Sequence, residues 1–167
     1  TGIWKTVWTE YVPDIRLDYV KMTPNLHDMA LEIEYQIDAP ESAMAGGNLM
    51  VVATVTFGDM LISKTMTVMT SDHTKTKIDV FHKTNGQANC GMEWGVRTWS
   101  PESPDLYDIT FEVVSDGKIL DTVGSYFAMR EIRIDGSNIL LNGHPLYQRL
   151  ILDQGYWKDS HLTPPSE

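Results

Sequence analysis

Four side chains near one end of the sequence combine types that could do chemistry together: Asp153, Gln154, Tyr156 and Trp157, in the run DQGYW. A carboxylate and an amide can hydrogen-bond vicinal hydroxyls, and two aromatic rings can cover the apolar face of a ring-shaped ligand. A sugar or another polyol is the ligand class such a set would take. Residues 147–152 (YQRLIL) precede them and read as a buried strand, which would place all four on a strand-end loop. The same residues also have a plain structural use: Asp153 can order the loop through its own backbone, and the rings can fill a core.

Other chemistries find little support. Cys90 is the one cysteine, so no internal disulfide forms and a cysteine-based zinc site is not expected; it reads as a spectator rather than a nucleophile. His27, His73, His82, His144 and His161 show neither i, i+4 nor H-x-H spacing, so neither a metal site nor a cofactor is expected. With 23 acidic against 13 basic residues the net charge is −10, which argues against the phosphate-neutralising surface that nucleic acid requires. No apolar run approaches the length of about 18 residues that a membrane-spanning helix needs.

The elements that must position the DQGYW loop are strands. Residues 31–37 alternate Leu, Ile, Tyr and Ile with Glu, Glu and Gln, a period of two with one face on a core. Residues 49–57 (LMVVATVTF) are apolar enough for a central strand, and Gly58-Asp59 turns them into residues 60–69. Further strands are predicted from residue 15, at 77–81, at 107–114 and at 119–127, with Asp116-Gly117 and Asp135-Gly136 as hairpin turns. Residues 39–48 and 99–107 read as loops, the second pinned by Trp99 and Tyr107. Residues 1–14 read as an edge strand stopped by Pro13, its Trp4 and Trp8 exposed unless something covers them. The opening TGIWKTVW lacks a signal-peptide pattern and reads as the middle of a strand rather than a natural start. Short strands, frequent turns and no helical period predict an all-β fold, an antiparallel sandwich or a barrel.

Four segments in order, GIWKTVW (2–8), WSPESPDLY (99–107), DTVGSYFAMR (121–130) and ILLNGHPLYQRLILDQGYW (139–157), together resemble glycoside hydrolase family 2, which holds β-galactosidases, β-glucuronidases and β-mannosidases. The resemblance implies that residues 1–14 are the last strand and exit of a jelly-roll sugar-binding domain. It implies an immunoglobulin-like sandwich over 15–130, and over 131–167 a hairpin followed by the first strand of a (β/α)8 barrel. Two positions depart from the family's pattern: its F-G-x-R reads Phe127-Ala128-Met129-Arg130, and its R-G-V reads Arg149-Leu150-Ile151. The DQGYW run is similar to a subset of β-galactosidase-like members.

For function, the resemblance implies a retaining glycosidase whose two catalytic glutamates lie on later barrel strands, so no residue of this chain is expected to be catalytic. Asp153, Gln154, Tyr156 and Trp157 would lie at the substrate rim of the whole enzyme, since barrel ligands are met at the C-terminal ends of strands. Carbohydrate is the expected partner there, and the exposed terminal strands could also mediate a dimer. Arg130 is expected as a structural ion pair or carbonyl donor and His144 as a solvated turn residue. The competing reading is a free-standing sandwich that binds carbohydrate or protein.

Overall fold

The computed structural model describes residues 7–81, 95–159 and 161–162. In chain order its strands are β1 (Arg16–Asn25), β2 (Ala30–Asp38), β3 (Leu49–Phe57), β4 (Met60–Val68), β5 (His73–Asp79), β6 (Tyr107–Ser115), β7 (Lys118–Phe127), β8 (Ile132–Asp135), β9 (Asn138–Leu141) and β10 (His144–Pro145). A short helix, α1 (Glu41–Ala45), joins β2 to β3. The first seven strands form two antiparallel sheets, β1-β2-β5 and β4-β3-β6-β7. They make an antiparallel β-sandwich, of the immunoglobulin-like kind that the family resemblance implies.

The period of two explains the core. On β2 the side chains of Leu31, Ile33, Tyr35 and Ile37 are buried; on β3, Leu49, Val51, Ala53 and Val55; on β6, Tyr107, Ile109, Phe111 and Val113. These inner faces meet between the sheets, where the Tyr35 and Phe111 rings touch edge to face at 5.9 Å between centroids. Asp121 of β7 tethers the open side of the sandwich by accepting a hydrogen bond from the Leu17 amide of β1 at 2.9 Å. The β6–β7 hairpin turns through Asp116 (φ 49°) and Gly117 (φ 75°), two consecutive left-handed residues, as a type I′ turn demands. Asn48 donates to the Asp116 carboxylate at 2.8 Å and braces that turn.

Several sequence expectations need correction. The strand expected at 77–81 is β5, His73–Asp79, shifted towards the N-terminus. It lies at a sheet edge, where Thr74 and Thr76 occupy half-buried positions and give no apolar signal. The loop 39–48 contains α1. Residues 7–13 form no strand, and Trp8 and Tyr11 are exposed; Trp4 lies outside the described residues, as do His82 and Cys90. Residues 147–152 are neither buried nor a strand: they have no ladder partner, and Leu150, Ile151 and Leu152 are 80%, 90% and 88% exposed. A strand is stable only when its backbone groups are paired, and apolar pattern alone does not supply the partner.

The chain divides into two units, Pro13–Leu146 and Thr1–Val12 with Tyr147–Glu167. The first contains both sheets of the sandwich and the small sheet β10-β9-β8.

Candidate functional site

In the second unit, the DQGYW loop is built around Gly155. Its φ of +66° is a left-handed conformation that other residues adopt only with strain. Asp153 Oδ1 accepts the Gly155 amide at 2.8 Å, closing an Asx-type turn. A β-carbon at Gly155 would stand 3.9 Å from the Trp157 ring, so that ring lies beside the glycine. The Trp157 backbone exchanges two hydrogen bonds with His161, at 2.8 and 3.0 Å, and His161 itself is left-handed at φ 55°. Asp153 and Trp157 thus come together on Gly155 and order the loop, while Gln154 is exposed and Tyr156 is 71% exposed. The chemistry on offer is a carboxylate with one oxygen engaged in the turn, an open amide and an open phenol ring.

In the sandwich unit, a second cluster gathers where residues 95–106 cross the end of β7. The Tyr107 hydroxyl accepts the Arg97 amide at 2.8 Å, ten residues upstream, an arrangement like the tyrosine corner of immunoglobulin-type sandwiches. Burial pushes the Tyr107 phenol up, against the opposing effect of that Arg97 amide. The Tyr107 ring stacks on Phe127 at 5.2 Å, and the Arg97 guanidinium caps Phe57 at 4.8 Å. Arg130 finds a partner other than the expected carboxylate or carbonyl: its guanidinium lies 5.0 Å from the centre of the Trp99 ring, a cation–π contact. Trp99, Leu106, Tyr126, Ala128 and Arg130, with Met22, Pro24 and Phe127, line an open cleft of about 440 Å3.

Asn142 is the residue whose role the sequence hid. It is the one buried polar residue among the described residues, at 6% exposure, with a left-handed φ of 51°. Its Oδ1 accepts the Glu131 amide at 3.0 Å, its Nδ2 donates to the Trp99 carbonyl at 2.9 Å, and its own amide donates to the Glu131 carbonyl at 2.9 Å. One side chain therefore ties the hairpin β8–β9 to the Trp99 loop and to the exit of the sandwich. The Asn142-Gly143 pair signals a turn, which is all that the sequence reveals of it. His144, expected in a solvated turn, belongs to β10 and is exposed there.

The outer face of β1-β2-β5 is a lattice of opposite charges. Glu34 receives Lys75 at 3.2 Å and Lys21 at 3.3 Å, and Asp28 receives Lys77 at 2.6 Å. Hydrogen bonding from Lys75 and Lys21 holds the Glu34 carboxyl below its ordinary value, and Lys77 does the same for Asp28. No group of three or more histidine, cysteine, aspartate or glutamate residues able to hold a metal ion occurs among the described residues. No helix among them is long and apolar enough to cross a membrane.

Comparison with known proteins agrees with this architecture. The sequence profile of glycosyl hydrolases family 2 matches residues 15–130, well over half of the chain. A β-galactosidase of Klebsiella pneumoniae is 26% identical over 159 residues, covering 89% of this chain and 14% of the relative. β-Galactosidase BgaC of Bifidobacterium adolescentis is 39% identical over 56 residues, or 33% of this chain and 5% of the relative. Among solved structures, Bacteroides uniformis β-glucuronidase 3 superposes with a TM-score of 0.58 at 15% identity, over 82% of this chain and 15% of that one. Ruminococcus gnavus β-glucuronidase superposes with 0.53 at 18% identity, over 81% and 19%. The chain thus spans less than a fifth of the length of each of these relatives. With the profile covering the whole two-sheet sandwich, the chain belongs to glycosyl hydrolases family 2.

Proposed function

We propose that this chain is a non-catalytic part of a retaining β-glycosidase, β-galactosidase-like in type, in which the sandwich is a spacer between a sugar-binding domain and the catalytic barrel. The observation that carries this reading is the family match over the sandwich in a chain spanning only 14% of a full-length β-galactosidase relative. A retaining mechanism needs two carboxyl groups about 5–5.5 Å apart, set in a barrel whose interior eight strands fill together. In this reading residues 1–14 end the sugar-binding domain and residues 131–167 open the barrel. Asp153, Gln154, Tyr156 and Trp157 then form part of the substrate rim. Gln154 and Tyr156 would meet sugar hydroxyls and the sugar face, and Asp153, bonded to the Gly155 amide, would hold the loop for them.

The test is an assay of the purified chain with chromogenic β-galactosides and β-glucuronides. No turnover is expected, and hydrolysis that follows the chain through purification overturns the proposal. The second reading, a free-standing binding module, draws on the cleft in which Trp99, Tyr126 and Arg130 combine ring faces with a cation. Calorimetric titration with β-galactosides and β-glucuronides separates the two, because micromolar binding lost in Tyr126→Ala favours the module.

A further inference from the structure

We draw no further inference here: the strongest candidate, the open cleft that Trp99, Leu106, Tyr126 and Arg130 line at the end of β7, belongs to the site already described.

Discussion

Asn142 shows how much one buried amide can hold. Its side chain satisfies one backbone donor and one backbone acceptor from segments 11 and 43 residues away, so truncation leaves Glu131 N–H and Trp99 C=O without these partners in a part-buried place. Asn142→Ala is expected to destabilise the fold by about 2–4 kcal/mol, the lost hydrogen bonds adding to a left-handed φ that alanine tolerates poorly. Chemical denaturation of the variant measures this, and a loss within error of zero contradicts the role. Tyr107→Phe removes a single acceptor from the Arg97 amide but keeps the ring stack on Phe127, so the expected cost is nearer 1 kcal/mol. The contrast between the two substitutions separates a joint from an anchor.

At the scale of elements, the ion-pair lattice on β1-β2-β5 gives the fold an acid dependence of definite sign. Asp28 and Glu34 are held below their ordinary values, so the folded chain keeps their charge to lower pH than the unfolded chain does. Their stabilisation is full above the ordinary carboxylate range, around pH 4, and is lost as pH falls through the depressed folded values. The thermal midpoint should decline below about pH 4 in the wild type and decline less in Lys77→Met with Lys75→Met, as thermal melts across that range will record. These carboxylates are open to water, so the effect is modest and weakens with salt. The same lattice shows what was legible in advance. Strands β2 and β6 announced themselves because their inner positions are apolar and alternate, β3 by its nearly continuous apolar run and β7 by the Asp116-Gly117 turn before it, whereas β5 was placed late because threonines fill two of its three inward sites. Residues 147–152 show the reverse, an apolar run without a ladder partner. The DQGYW loop was legible as a set of residue types, while the Gly155 turn that gathers Asp153 and Trp157 depends on backbone angles that composition does not reveal. Arg130 over Trp99 and the grip of Asn142 both join residues distant in sequence, which no local pattern reports.

For the whole molecule, protection should be unequal. Backbone amides in β2, β3 and β6, central in their sheets, should exchange with solvent slowly, at rates near those set by global unfolding. Residues 148–152, which form no ladder, should exchange at rates close to those of an unstructured peptide. Hydrogen exchange followed by mass spectrometry distinguishes these classes; protection of 148–152 equal to that of β6 would show a backbone pairing for that run.

Asn142 carries one more consequence, for the lifetime of the molecule. Asparagine followed by glycine is the pair that cyclises most readily to a succinimide, because the unhindered glycine amide can attack the side-chain carbonyl. Here that carbonyl is occupied by Glu131 and the amide nitrogen by Trp99, both in a buried site. The native fold thus shelters this Asn-Gly bond, and hydrolysis there would replace the Trp99 donor with a carboxylate facing a carbonyl. Chemical ageing at Asn142 therefore works as a clock that runs chiefly when the fold is open.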